Sequence, residues 1–301
     1  MRRFFNSLLG VFLIFLYIIT SLILGVLALI FGLLARLMPL KSWYQAVMKT
    51  ALLFPILWAT TSGKFLSLRH HRWKIEGKGN LSPDQWYLLI SNHQTWLDIL
   101  VLGRVFGRKI PVIKFFMKRE LLWSLPILGL SCWSLGYPFL HRHSRHEIRK
   151  QPELKGQDIE TTKKACEKFR EFPTTVMNFV EGTRFTTAKQ QHQSSPYLHL
   201  LKPKSGGIAI VMKELRNELN GILNVTIHYS RPIILWKYFC GDHSTITVHY
   251  ELLSLTDDLI GDYYENRYFR RYFQKWLNSV WKCKDLLLDE LSCTNDDSQQ
   301  K

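Results

Sequence analysis

The chain has 301 residues and a formal charge of +16, from 40 Lys and Arg against 24 Asp and Glu. Hydrophobic residues make up 47% and charged residues 21%, which excludes disordered and low-complexity classes and fits one ordinary domain with an appendage. Charge on this scale implies an anionic partner: nucleic acid, a phospholipid surface or a phosphorylated substrate.

The first element is apolar. From Phe4 to Ala35 run 32 residues without a formal charge. As a helix they would extend about 48 Å, against about 30 Å of bilayer hydrocarbon. The apolar part of a cleaved signal peptide is only about 7–15 residues, so an uncleaved anchor is expected. The charge distribution fits it. Residues 1–35 carry only Arg2 and Arg3, residues 36–150 hold 18 Lys/Arg against 5 Asp/Glu (+13), and residues 151–301 hold 20 against 19 (+1). A basic surface directly behind an anchor suits an anionic leaflet, each cation contributing about 1 kcal/mol. Nucleic acid is the less favoured partner, because no binding module accompanies the charge. A second apolar stretch, Thr50 to Gly63, is 14 residues long and interrupted by Pro55. It is too short to span and reads as interfacial or re-entrant, with Trp43, Tyr44 and Trp58 at headgroup level. The expected division is an anchor over 1–63, a catalytic domain over 64–291 and a polar tail over 292–301.

Beyond the turn-rich Gly77–Asn80, the short apolar run Trp86 to Ser91 predicts a buried strand, and Thr95 to Val105 a helix. The uncharged stretch Leu121 to Leu140 is broken by Pro126, Gly129, Gly136 and Pro138, so it is assigned to the catalytic domain rather than to a span. Further strands are expected at Thr175–Val180, Leu223–Tyr229 and Thr245–Leu253, and helices at Asp158–Glu171, Gly207–Leu219 and Asn266–Leu291. Such alternation argues an α/β sheet flanked by helices. The five cysteines (132, 166, 240, 283 and 293) are scattered without a C-x-x-C pair, which suits reduced thiols rather than disulfides or zinc.

Two constellations carry chemistry. In Asn92-His93-Gln94-Thr95-Trp96-Leu97-Asp98, His93 and Asp98 stand five apart at a strand-to-helix junction. On one continuous helix they would diverge by roughly 140°. They meet if His93 lies in the turn and Asp98 one turn into the helix, pointing back. A carboxylate at Nδ1 then leaves Nε2 free to accept a proton. By itself H-x4-D is more commonly a turn histidine beside a helix-surface aspartate. The second constellation, Phe179-Val180-Glu181-Gly182-Thr183-Arg184-Phe185, ends a strand with a permissive glycine, a hydroxyl and a planar cation suited to phosphate. By itself it also describes a strand-end turn with a surface ion pair.

Together, in order and spacing, these blocks resemble the lysophosphatidic acid (1-acylglycerol-3-phosphate) acyltransferase family of the glycerolipid acyltransferase superfamily. Asn92–Asp98 is similar to its first block, Gly136–Arg142 to its second, Phe179–Phe185 to its third and Leu201–Gly207 to its fourth. Glu181-Gly182-Thr183-Arg184-Phe185 followed by Thr186, Thr187 and Lys189 resembles the subgroup of lysophospholipid and lysocardiolipin acyltransferases, bacterial inner-membrane members above all. The similarity covers roughly residues 75–235 together with the N-terminal hydrophobic architecture. The chain departs from the family where Thr226-Ile227-His228-Tyr229-Ser230 replaces a frequent Val-Pro pair.

The resemblance implies an α/β glycerolipid acyltransferase-like fold behind a membrane anchor. It implies His93 as general base and Asp98 as its orienting carboxylate. Glu181, Gly182, Thr183 and Arg184 would bind the phosphoglycerol headgroup, with Arg142 a second phosphate contact and Pro203 and Lys204 the fourth block. The reaction would join an acyl thioester (acyl-CoA or acyl carrier protein) to a lysophospholipid hydroxyl, with no metal or bound cofactor, at the cytosolic face of the inner membrane. Another lysophospholipid or glycerol 3-phosphate is the alternative acceptor. An inactive basic membrane adaptor is the alternative of another class, opposed by the presence of His93, Asp98, Glu181 and Arg184 together. The cluster His141, Arg142, His143 and His146 is read as a basic surface rather than a metal site, and His70-His71-Arg72 as an interfacial basic cluster. Cys132 is read as a buried thiol, and Tyr263–Trp281 as an amphipathic helix rather than an RNA-binding surface.

Overall fold

In β2 (Trp86–Ser91), Tyr87, Leu88, Leu89 and Ile90 are all fully buried, as a strand covered on both faces requires. Tyr87 and Leu89 enter one apolar cluster and Leu88 and Ile90 the other, which is the period-two alternation of a strand. The surrounding architecture is taken from a computed structural model that describes residues 2–68, 72–140, 153–233, 235–241 and 244–297. The six-stranded sheet runs β1 (Arg72–Lys78), β8 (Thr245–Leu253), β7 (Leu219–Tyr229), β2, β6 (Thr175–Phe179), β3 (Ile113–Phe115). β7, β2, β6 and β3 are mutually parallel, whereas β8 lies antiparallel to β7 and parallel to β1. β4 (Met117–Lys118) and β5 (Phe139–Leu140) form a separate parallel pair.

One face of the sheet is covered by α3 (Leu97–Phe106), which contributes Leu97, Val101, Leu102 and Phe106. The other face is covered by α6 (Glu153–Phe169), α8 (Gly206–Glu214) and the long α10 (Arg267–Asp297). From these come Phe169, Ile208, Val211, Phe273, Leu277 and Trp281, with Trp281 among the largest fully buried side chains. Around this frame lie α4 (Leu121–Ser124), α5 (Pro126–Ser134), α7 (Thr187–His192) and α9 (Leu235–Phe239).

The N-terminal part of the chain is a helical hairpin of α1 (Arg2–Leu34) and α2 (Lys41–Ser67). α1 packs on α2, α5 and α9, and α2 packs on α3. Gly32 allows close approach: a Cβ there would collide with Ser134 on α5. The outer side of α1 exposes Phe4, Phe12, Phe15, Ile23 and Ile30. Among the described residues α1 is the one helix long and apolar enough to cross a membrane, over Phe4–Leu34.

Several elements differ from the sequence expectation. The stretch expected as a 14-residue re-entrant segment belongs to the 27-residue α2, which continues through Pro55. Its first turns carry Lys41, Gln45 and Lys49, and counting uncharged residues alone cuts such a helix short. The helix expected to end at Leu219 stops at Glu214, and Leu219 instead opens the 11-residue β7. α10 continues to Asp297, past the expected end at Leu291. β1 and β3 were not expected. β1 is a mostly exposed edge strand, RWKIEGK, whose alternation is limited to Trp73 and Ile75, and β3 has only three residues, so both signals are short.

Candidate active site

The parallel run of β2, β6 and β7 brings their carboxyl ends to one edge of the sheet, where open α/β folds place ligands. His93 stands in the turn after β2, and Asp98 is the second residue of α3. The chain reverses between them, so His93 Nδ1 lies 2.8 Å from Asp98 Oδ2. Asp98 has no exposed surface, and four donors converge on its carboxylate. Oδ2 accepts from His93 Nδ1, from Gln94 N at 2.6 Å and from Thr95 N at 3.0 Å. Oδ1 accepts from the Tyr229 hydroxyl at 2.6 Å. With the carboxylate held as an acceptor on every side, Nδ1 carries the imidazole proton and Nε2 presents its lone pair. The Phe179 ring stacks on the imidazole, with centroids 3.8 Å apart and planes 13° from parallel, which fixes the ring's tilt.

The backbone around His93 is braced from β6 and β7. Asn92 behaves like an extra strand residue: its Nδ2 donates to Ile227 O and its Oδ1 accepts from Ile227 N, both at 2.9 Å. The backbone N–H of Phe185 donates to His93 O at 2.7 Å. Glu181 completes the tie, with Oε1 accepting from His93 N at 3.0 Å and Oε2 from Leu201 N at 2.8 Å. It is fully buried, and both its oxygens are engaged by backbone amides rather than turned to the opening. Burial raises its pKa to about 7, opposed by those two amides and by Lys284 and reinforced by Asp98. Lys284, reaching in from α10, donates to Val225 O and to Thr226 Oγ1, the latter at 3.1 Å. Burial lowers its pKa to about 7.

Gly182 then turns the chain in the left-handed region, φ +70°, so that the residues after Glu181 face outward. Arg184 is exposed, its guanidinium resting 4.9 Å from the centre of the Trp96 ring. Thr183 Oγ1 accepts from Lys189 Nζ at 2.8 Å, and the same ammonium donates to Arg184 O at 3.0 Å. Lys204 lies across Gly182, whose absent Cβ would come within 2.7 Å of Lys204 Nζ. Pro203 precedes it in the loop that Lys204 N ties to Val180 O at 2.8 Å. Arg142, His141, His143 and His146 lie outside the described residues, as do His70 and His71. Cys132 belongs to α5, and burial pushes its thiol up to about 12, far from a nucleophilic thiolate.

Sequence reasoning gave no part in this site to Tyr229, and no role to Asn92 or Phe179 although both stand in the blocks it singled out. For Tyr229 the available signal was its place at the end of an expected strand. Ser91 pairs with Val225, so β7 runs four residues further than β2 and carries Tyr229 over Asp98.

A histidine oriented by a buried carboxylate at the carboxyl edge of a parallel α/β sheet, with the exposed Arg184 resting on nearby Trp96, is an arrangement able to do acid–base chemistry. The chain belongs to the Acyltransferase family, whose model matches residues 72–234, just over half of its length. It is 27% identical over 222 residues to 1-acyl-sn-glycerol-3-phosphate acyltransferase 2 of Arabidopsis thaliana, covering 67% of this chain and 51% of that protein. Over 72 residues it is 40% identical to 1-acyl-sn-glycerol-3-phosphate acyltransferase alpha of Homo sapiens, 24% of each chain. The chain thus spans about half the length of the plant relative. Its fold is similar to the crystal structure of the 1-acyl-sn-glycerophosphate acyltransferase PlsC from Thermotoga maritima. That likeness has a TM-score of 0.53 at 18% identity and covers 94% of this chain and 98% of the other.

Proposed function

We propose that this protein is a membrane-bound O-acyltransferase. It transfers a fatty acyl group from a thioester, acyl-CoA or acyl carrier protein, to the free hydroxyl of 1-acylglycerol-3-phosphate, giving phosphatidic acid. The observation that carries the reading is the 2.8 Å His93–Asp98 pair within a chain that matches the Acyltransferase family. The relatives named for 1-acyl-sn-glycerol-3-phosphate support the choice of acceptor. His93 Nε2 takes the proton of the acceptor hydroxyl as its oxygen attacks the thioester carbonyl. The tetrahedral intermediate then collapses, the carbon–sulfur bond breaks, and the departing thiolate recovers the proton from the imidazolium. Such a base contributes about 10²–10⁴-fold. The attack is direct and needs neither a covalent acyl-enzyme nor a metal.

Arg184, with Lys204 and Arg142, grips the lysolipid phosphate, while Glu181 acts from beneath by holding the backbone of His93. The anchor in this reading is α1, and the +13 segment that follows it supports a catalytic domain facing the cytosol at the inner membrane, where thioesters are available. Acyl transfer by purified membranes across a panel of lysophospholipids and glycerol 3-phosphate, with both thioester donors, tests the reading. Preference for 1-acylglycerol-3-phosphate is expected. Activity confined to another acceptor would overturn the assigned substrate, and absence of transfer with every pair would leave the membrane-adaptor function in its place.

A further inference from the structure

Lys114, in the middle of β3, is 3% exposed. Among the described residues its ammonium has no hydrogen-bond acceptor or ion-pair partner. The rings of Phe169 and Tyr137 lie beside it, with centroids 5.7 and 6.0 Å away. A largely buried ammonium without a direct partner is costly, and burial lowers the Lys114 pKa to about 8, opposed by Glu171 and reinforced by Arg36 and Lys168. Such a group is usually found where an anion completes it.

The surroundings are built for one. Lys114 opens into a cavity of about 220 Å³ that also receives Arg36 from the end of α1, Lys168 from α6, and Tyr44 and Glu171. Three cations therefore face one carboxylate, and that carboxylate already accepts the Tyr44 hydroxyl at 2.7 Å. Arg36 is fixed in place by bonds from Nη1 to Gly32 O and Ser134 O. The wall beside Lys114 is bare backbone at Gly136, where φ is +77° and a Cβ would point at the ammonium from 3.7 Å. At about 30 Å³ per water, the space suits several waters or one tetrahedral phosphate.

The cavity lies apart from the catalytic histidine. Lys114 is level with Val176 and hence with Leu88, whereas His93 comes five residues after Leu88 and two strands away. The imidazole stacks on Phe179, three residues beyond Val176, so at about 3.3 Å per residue the separation along the strands is roughly 10 Å, with two strand spacings added across the sheet. None of the cavity-lining residues belongs to the His93 site.

We infer that this cavity is a second anion site, taking one phosphate group, with Lys114 as its buried anchor and Arg36 and Lys168 at its rim. The group belongs to the thioester donor, to a lipid headgroup or to free phosphate; the chemistry of recognition is common to all three. The inference rests on charge and cavity alone, so it stands or falls separately from acyl transfer.

The test uses the full-length protein in neutral detergent, carrying Arg184→Gln to disable the phosphate contact beside His93. Inorganic phosphate is titrated against chloride at matched ionic strength, and binding is read by calorimetry and by the rise in melting temperature. Saturable binding is expected, weakened at least about 10-fold by Lys114→Gln, as loss of a charge-assisted contact implies. Lys168→Gln, on an exposed position, should weaken it in the same direction and serves if Lys114→Gln fails to fold. Phosphate binding equal to the parent's in the folded variants would overturn the site. So would loss of stability in phosphate-free Lys114→Gln with binding unchanged, because Lys114 would then be an internal partner of Glu171. With Arg184 restored, a KM increase in Lys114→Gln for the thioester alone assigns the phosphate to the donor, and an increase for the lysolipid alone assigns it to the headgroup. Loss of phosphate binding with neither KM moved assigns a free anion.

Discussion

Asp98→Asn isolates the charge of the orienting residue from its geometry. Three of the four donors on Asp98, including His93 Nδ1, converge on Oδ2, and only the Tyr229 hydroxyl reaches Oδ1. An asparagine therefore seats its oxygen at the Oδ2 position and its amide nitrogen toward Tyr229, whose hydroxyl can turn to accept. The Nδ1–H bond and the imidazole tautomer survive. What disappears is the negative charge beside the imidazolium formed as the acceptor hydroxyl is deprotonated. Two unit charges about 4 Å apart at an effective dielectric near 20 interact by about 4 kcal/mol, which corresponds to a fall of about 10³-fold in kcat. Acyl transfer at saturating donor and acceptor reads kcat, and a melting curve in the same detergent shows whether the fold is kept. Asp98→Asn within about 10-fold of wild-type kcat would refute the electrostatic role given to Asp98. The pair Asp98→Asn with Tyr229→Phe extends the test. Without the hydroxyl the buried amide nitrogen has no acceptor, so the double variant should lose stability beyond the sum of the single changes.

His93→Ala should lower kcat by at least about 10²-fold while the protein stays in the membrane fraction after carbonate extraction, since the base acts only in the chemical step. Near-normal turnover by the folded variant would remove His93 from the mechanism. Arg184→Lys should reduce kcat/KM by roughly 10–150-fold for a phosphorylated acceptor and far less for a neutral lysolipid analogue, because lysine cannot form the two-pronged contact. Equal losses for both acceptors would make Arg184 a structural residue. Glu181→Gln must turn an amide donor toward His93 N or Leu201 N and should cost about 1–3 kcal/mol in denaturant unfolding; an unchanged midpoint contradicts the brace. Stability should also depend on pH through Lys284. Burial lowers its pKa from 10.5 to about 7, so its contribution is complete above 10.5 and lost as pH falls through about 7. Glu181, raised from 4.5 to about 7, contributes below 4.5 and loses that contribution as pH rises through about 7. Lys284→Met should flatten the rise in melting temperature between pH 7 and 10, and an unaltered slope would show that Lys284 does not titrate there.

How much of this was legible in the sequence depends on how local each relation is. The meeting of His93 and Asp98 needs only a strand, a turn and the first turn of a helix, all contained in Asn92–Asp98. Tyr229 reaches the same carboxylate from 131 residues away because β7 lies beside β2 and outruns it by four residues. That adjacency belongs to the sheet order, which local patterns do not encode. The Asn92–Ile227 tie was hidden for the same reason. Glu181 shows a different limit. Its place in Glu181-Gly182-Thr183-Arg184 marks it as a site residue, but the direction of its side chain depends on the turn. Gly182, in the left-handed region, divides the motif: the carboxylate before it is buried against two backbone amides and the guanidinium after it is exposed on Trp96. A single glycine thus separates the buried brace from the exposed cation proposed to bind phosphate, so residues adjacent in the motif should fail differently when replaced. Glu181 variants should lose fold and turnover together, and Arg184 variants should lose acceptor selectivity alone.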